Sequence, residues 1–167
     1  MRKFQKVITT ALVLVTLSSN VTVYARTNVD EEVPIEIQIA ANKYGEQYDI
    51  SPELIEAIIW HESRYIPTVS NKGCKGLMQI STKWHKARME KLGVTDIYDI
   101  DGNIAVGTDL LAELFETYED VGIVLGVYHG ETNAVANGKA GKLSTYVTDI
   151  LQKAEELEYL HDKKVTQ

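Results

Sequence analysis

Cysteine is almost absent: Cys74 is the only one in 167 residues. A lone thiol closes no internal disulfide, so the chain is held together by its core. Nothing near Cys74 forms a thiolate-activating pair, which reads it as a small packing or loop side chain and not a nucleophile. Prolines number only three, and two of them, Pro34 and Pro52, stand where helices would begin. Basic side chains are outnumbered, 17 Lys and Arg against 24 Asp and Glu, for a net charge of -7. Recognition of nucleic-acid phosphates needs clustered cations, so this balance argues against a nucleic-acid binder. There is no internal repeat, no low-complexity segment and no convincing alternating strand. At 44% hydrophobic residues, the chain has enough apolar material for one ordinary folded domain and too little length for two.

The one long uncharged stretch lies at the N-terminus. Arg2, Lys3 and Lys6 precede Val7–Ala25, which carries no charge and is most apolar at Ala11–Val15. Small residues at Val23 and Ala25 suit a cleavage site, and the whole reads as a secretory signal peptide over residues 1–25. An uncleaved membrane anchor is the rival reading, since the stretch is just long enough to span. Thr9, Thr10, Thr16, Ser18, Ser19, Asn20 and Thr22 dilute it, which favours cleavage. Removal of residues 1–25 leaves 14 basic against 24 acidic side chains, net -10. A secreted, cell-wall-associated protein is expected, one not targeted by attraction to anionic lipid.

Residues 26–33 are polar, acidic and aperiodic, a flexible leader. From residue 34 helical spacing dominates. Pro34 to about Gln47 carries Ile35, Ile39, Ala40 and Tyr44 as one expected inner face. Ser51–Pro52 is an N-cap followed by proline at the first helical position, and Leu54, Ile55, Ile58 and Ile59 follow at helical spacing. Further helices are predicted over about 82–92, 103–118 and 121–128, and a last one capped by Ser144 with Tyr146, Val147, Ile150, Leu151, Ala154 and Leu157 inward. Residues 69–81 and 132–143 read as Gly- and Asn-rich loops, with room for a pair of short strands within them. Loops this long in a small helical domain are more often functional than idle. The expected domain runs over residues 34–160, with a C-terminal tail at 161–167.

Glu62 is the centre of the functional reading. At 3.6 residues per turn it lies in line with Ile55 and Ile58, at the C-terminal end of an apolar stripe. A carboxylate placed there loses solvation and faces the negative end of the helix dipole; both favour the protonated acid that general acid catalysis needs. Alone, the position fits a solvated terminal residue as well. The residues that follow decide more: Glu62-Ser63-Arg64-Tyr65-Ile66-Pro67, then Ser70 and Gly73, then Gly76-Leu77-Met78-Gln79-Ile80. Tyr128 then ends an apolar helix, and Tyr146-Val147 opens the last one. Together these four motifs, in this order and at this spacing, resemble the catalytic domain of the soluble lytic transglycosylases, relatives of goose-type lysozyme. The resemblance spans about Ile35 to Leu157.

It implies an all-α, lysozyme-like fold of six or seven helices with a glycan-binding groove, a minor short β-hairpin being allowed. It further implies a single catalytic residue, Glu62, cleaving the β-1,4 bond between N-acetylmuramic acid and N-acetylglucosamine with formation of a 1,6-anhydro ring. Ser63, Ser70, Gly76, Leu77, Met78, Gln79, Tyr128, His129 and Tyr146 are its implied substrate-binding residues, with no metal and no cofactor. Chemistry supports part of this: a glycine lets main chain approach a ligand, and hydroxyls and amides of a glycan call for groups such as Gln79. Leu77, Met78 and Tyr146 fit a hydrophobic core equally well. One departure stands out. Where the family has Asn, a small residue and Gly after the tyrosine, this chain has His129, Gly130 and Glu131. His61 and Glu62 do not begin a His-Glu-x-x-His run, because position 65 is Tyr, so a zinc site is not expected.

Two rivals remain. A hydrolytic muramidase needs a second carboxylate, with Asp96, Asp99, Asp101 and Glu131 the candidates by residue type. A non-catalytic peptidoglycan-binding envelope protein would keep the groove and have no need of Glu62. Expected partners are peptidoglycan glycan strands, acted on by a monomer. Recruitment to a conjugation or secretion machine also fits small single-domain members of the family.

Overall fold

Ser51 starts the helix around which the rest is laid. Its hydroxyl accepts a hydrogen bond from Leu54 N at 3.3 Å, and Pro52 occupies the first helical position. This helix, Pro52–Ser63, has no solvent side over most of its length: Leu54, Ile55, Ala57, Ile58 and Ile59 are all buried, as is Glu56. A helix apolar all round must be enclosed by other elements. The computed structural model describes residues 32–165. The expected signal peptide and all but the end of the leader lie outside them. The helices are α1 (Ile35–Tyr48), α2 (Pro52–Ser63), α3 (Lys86–Lys91), α4 (Ile100–Thr117), α5 (Val121–Tyr128), α6 (Ala134–Lys139) and α7 (Thr145–Val165). Helix α2 lies between α1 and α7, α1 packs on α4, and α5 joins α4, α6 and α7. The architecture is all-α and lysozyme-like.

A small antiparallel sheet is inserted between α2 and α3. Its strands are β1 (Ser70–Asn71), β2 (Cys74–Lys75) and β3 (Ile80–Ser81), in the order β1-β2-β3. Ser70 faces Lys75, and Lys75 faces Ile80. Lys72 and Gly73 connect the first two strands with φ of 49° and 89°, the left-handed pair a tight two-residue hairpin requires. Cys74 therefore lies in a strand as a partly exposed free thiol.

Five features differ from the sequence expectation. Ile35 and Ile39 of α1 are exposed, and the inner face is Ile37, Ala40, Ala41 and Tyr44. Small side chains decided this: Ala40, Ala41 and Gly45 let α1 come close to its neighbours, and a Cβ on Gly45 would stand 2.6 Å from the Ile50 carbonyl. Helix α3 begins at Lys86 and not near Thr82, because Trp84 N and His85 N both turn back to the Ser81 carbonyl, 3.1 and 3.0 Å away. Helix α4 begins three residues early, at Ile100, because Asp99 caps it through Gly102 N at 2.8 Å. Residues 134–139, expected as loop, form the short helix α6, packed on α5 through Ala134. Helix α7 also continues through Val165, into the expected tail, and His161 there meets Glu53 of α2 at 3.0 Å.

The short helix α3 buries no residue fully; Met89 packs partly against the core, and polar contacts complete its docking. Asp109 of α4 is buried; it accepts hydrogen bonds from Tyr48 of α1 at 3.0 Å and Lys91 of α3 at 3.1 Å, and it pairs with Arg88, which also reaches Glu113. Burial by itself would raise the Asp109 carboxyl, but the bonds from Lys91 and Tyr48 and the charge of Arg88 outweigh it and hold it below its ordinary value. The stability gained is complete above the ordinary carboxylate range and is lost as the pH falls through the lower, folded-state value. Asp109→Asn should therefore lower the melting temperature at neutral pH, and the variant and wild-type curves should converge at strongly acid pH. A constant gap across the pH range would place this stabilisation elsewhere.

Candidate active site

Glu62 stands in the last turn of α2, half-buried, below the fully buried Ile55, Ile58 and Ile59. Its Oε1 accepts a hydrogen bond from the Tyr146 hydroxyl at 2.6 Å, a contact across 84 positions of chain. Tyr146 is the second residue of α7, and α7 packs along α2, so the helix pair carries the two groups to each other. Burial pushes the Tyr146 phenol far up, and the charge of Glu62 pushes it further. Tyr146 is thus a hydrogen-bond donor throughout the physiological range. Its length of 2.6 Å is that of a strong O–H···O bond to a carboxyl group.

Two histidines hold the Tyr146 ring. His129 lies flat against it, with ring centroids 3.8 Å apart and planes 3° from parallel. His61 meets it edge-on at 4.7 Å and 74°. Burial lowers His61, against the pull of the Glu62 charge, so the neutral imidazole dominates at neutral pH. Immediately after α2 the chain turns away sharply: Arg64 and Tyr65 both have positive φ, 52° and 60°. Arg64 is held there by its stack on Trp60 at 3.6 Å and a 2.6 Å bond from its guanidinium to the Trp60 carbonyl.

The turn over residues 76–79 is fixed from beneath by Asn103, which is wholly buried in α4. Its Oδ1 accepts from Met78 N at 2.8 Å; its Nδ2 donates to the carbonyls of Ile97 at 2.7 Å and Lys75 at 3.0 Å. Tyr128, at the end of α5, donates its hydroxyl to the Met78 carbonyl at 2.7 Å. Both main-chain groups of Met78 are therefore held by side chains. Gly76, at φ 76°, lies directly over Asn103: a Cβ there would collide with the Asn103 amide and sit 2.8 Å from the Ile97 carbonyl.

The structure sorts the residues singled out in the sequence. Glu62, Tyr146, His129 and Tyr128 come together; the Tyr128 phenol is pushed up by burial and then by the nearby charge of Glu62. Leu77 and Met78 are wholly buried in the core, so neither presents surface to a ligand. Ser63 is buried too, with its hydroxyl bonded to the Ile59 carbonyl at 3.0 Å. Gln79, at φ 49°, turns its amide nitrogen back to the carbonyls of Gly76 and Val69 at 2.8 and 3.2 Å. Ser70 stands exposed on β1. Of the four further carboxylates, Asp99 caps α4, Asp96 accepts from Tyr98 N at 2.9 Å, and Asp101 pairs with Lys43 and Tyr44 of α1. Glu131 alone of the four adjoins the Tyr146 cluster, with Oε1 bonded to the Ser144 hydroxyl at 2.6 Å and 3.4 Å from His129 Nδ1. Sequence reasoning passed over Asn103 and the ring contact of His61. The only signal for Asn103 was an amide side chain facing inward near the start of an apolar helix.

The model of the family described as Transglycosylase SLT domain matches residues 39–145, well over half of the chain. Among curated proteins the chain is similar to the transglycosylase of Enterobacteria phage PRD1, 41% identical over 88 residues, which make up 52% of this chain and 32% of that protein. It is also similar to the membrane-bound lytic murein transglycosylase F of Desulfosudis oleivorans, 35% identical over 86 residues, 51% of this chain and 17% of that protein. The chain thus spans about a third or less of the length of these relatives.

The clamp on Met78 is testable without a substrate. Asn103→Ala leaves a buried amide N–H and two carbonyls unpaired at once, which should cost on the order of 3 kcal/mol or more of folding stability. Chemical denaturation measures it; a loss under about 1 kcal/mol would mean that water or a shifted main chain replaces the amide.

Proposed function

The chain belongs to the transglycosylase SLT domain family, and from that premise we propose that it is a peptidoglycan lytic transglycosylase with Glu62 as its single general acid and base. The observation that carries the reading is the 2.6 Å bond from Tyr146 to Glu62 Oε1, in which a buried phenol orients one carboxyl oxygen and leaves Oε2 to carry the mobile proton. Both relatives are named as transglycosylases, the second as a lytic murein transglycosylase, and this supports the reading.

The reaction runs in two proton transfers. Protonated Glu62 gives its proton to the glycosidic oxygen linking N-acetylmuramic acid to the next N-acetylglucosamine, and the bond from that oxygen to the muramoyl C1 breaks. Positive charge develops at C1, where the substrate's own N-acetyl group stabilises it. The Glu62 carboxylate then takes the proton from the muramoyl C6 hydroxyl, whose oxygen bonds to C1 and closes the 1,6-anhydro ring. Water is neither consumed nor released. Tyr146 donates most strongly when Glu62 is an anion, so it stabilises the carboxylate left after the first transfer. Glycan recognition falls to polar side chains such as Ser70, which is exposed, and Gln79, which is partly exposed. The N-terminal pattern from Arg2 to Ala25 supports export to the cell wall, the place where such a substrate is found.

The deciding measurement is mass spectrometry of the soluble products when the purified chain from Arg26 onward digests peptidoglycan. Anhydromuramoyl ends, lighter by one water than reducing ends, are expected. Reducing ends would mean hydrolysis and make Glu131 the second carboxylate, and binding without any product would mean a non-catalytic glycan binder. Glu62→Gln keeps the shape and removes the proton, so it should abolish cleavage in a folded domain; wild-type kinetics in that variant would refute the role of Glu62. Tyr146→Phe should lower kcat by roughly ten- to a hundredfold, the range of one strong hydrogen bond to a developing charge. An unchanged rate would leave Tyr146 a core aromatic.

A further inference from the structure

Residues 129–131, where the chain departs from the family's third motif, form a closed circuit with the first turn of α7. His129 caps α5, its N–H bonded to the Leu125 carbonyl at 3.0 Å. Gly130 follows at φ 82° and reverses the chain, so that Glu131 N reaches the Gly126 carbonyl at 2.9 Å. The reversal brings the Glu131 carboxylate beside its own neighbour, 3.4 Å from His129 Nδ1. Glu131 Oε1 also accepts the Ser144 hydroxyl at 2.6 Å, and Ser144 Oγ accepts from Val147 N at 3.3 Å, capping α7 one residue past Tyr146. Tyr146 closes the circuit through its flat contact with His129.

We propose that His129, steadied by Glu131, is a positioning residue for the reaction: its imidazole lies on the Tyr146 ring and fixes the plane in which the phenol hydroxyl meets Glu62. The inference rests on the lytic transglycosylase reading and adds to it a group that acts through Tyr146. Turning the ring about its Cβ–Cγ bond leaves the phenol oxygen in place but swings the O–H, which prefers the ring plane, and an O–H···O bond weakens steeply when its angle is lost. A flat ring on one face and the edge of His61 on Tyr146 leave one orientation, and it is the one that makes the 2.6 Å bond. The side chain of His129 is 49% exposed, so core packing alone does not hold it; the Glu131 carboxylate and the Tyr146 face do. Glu131 in turn is bound to Ser144, which places it as the anchor of this circuit and not as a free base for water.

Three variants of the full protein test this on soluble glycan strands. His129→Ala should lower kcat about tenfold with KM changed less than about twofold. His129→Phe restores a flat ring and should return kcat to within about twofold of wild type. Glu131→Ala should fall between the two. A rise in KM at unchanged kcat, equal in the Ala and Phe variants, would make His129 a substrate contact and overturn the proposal. A second readout does not depend on turnover: the 13C NMR titration of the Glu62 carboxyl should move in His129→Ala and return in His129→Phe. An identical titration in all three proteins would overturn the proposal even if kcat had fallen. If wild type cleaves no glycan, the functional reading fails while the NMR comparison still decides whether His129 positions Tyr146. Should His129→Ala fail to fold, His129→Leu, which fills the space without a flat ring, takes its place with the same expected losses.

Discussion

From Leu54 to Ile59, helix α2 has no side that faces water, and most of the molecule follows from that. Five of its apolar side chains and Glu56 are buried, so neighbours must cover every side of that stretch. Helix α1 does so with alanines and a glycine, α7 with Tyr146, Val147, Ile150, Ala154 and Leu157. Burying each large side chain is worth about 1.5–3 kcal/mol, and this sum sets where α7 lies relative to α2. The bond between Tyr146 and Glu62 is a consequence: the two helices are brought together by apolar surface, and the polar pair sits at the end of the seam where that surface runs out.

The remaining parts of the site are held by polar contacts of another kind. Main chain at Lys75, Met78 and Ile97 meets one amide, that of Asn103, and the Met78 carbonyl meets the Tyr128 hydroxyl. Hydrogen bonds to buried main chain add modestly when formed and cost heavily when broken, so they specify geometry more than they add stability. The turn over residues 76–79 is thereby tied to α4 and α5, while Glu62 is tied to α7. The relative position of the two depends on the packing of α5 against α4 and α7, which is apolar once more.

Legibility in the sequence followed the range of the forces. The start of α2 was readable because Ser51 and Pro52 act on their own helix. The inner face of α7 was readable from periodicity, and Glu62 was readable as the end of a stripe. The start of α3 was not, because the Ser81 carbonyl that captures Trp84 and His85 belongs to β3. The inner face of α1 was misjudged because isoleucines outweigh alanines on any hydrophobicity count, whereas close approach favoured Ala40, Ala41 and Gly45. Asn103 gave only the signal of an inward-facing amide, because its three partners lie 6 to 28 positions away. The four motifs marked the candidate site as a set, and Leu77, Met78 and Ser63 of that set are wholly or largely buried, so what a motif marks includes the foundation as well as the surface.

Backbone strain gathers beside the candidate site. Of the five non-glycine residues with positive φ among those described, four, Arg64, Tyr65, Lys72 and Gln79, lie between the end of α2 and the turn over 76–79. Each costs on the order of 1–2 kcal/mol relative to ordinary backbone, so this segment has no local reason to adopt its shape. It is held by the Trp60–Arg64 stack, by the burial of Tyr65, and by the two carbonyls that bind the Gln79 amide. Such a segment keeps its geometry only while the helices around it stay packed, and it offers main chain in directions a regular strand or helix cannot. The apolar seam of α2 therefore does two things at once. It joins Glu62 to Tyr146, and it supplies the stability against which the strained loop beside them is held.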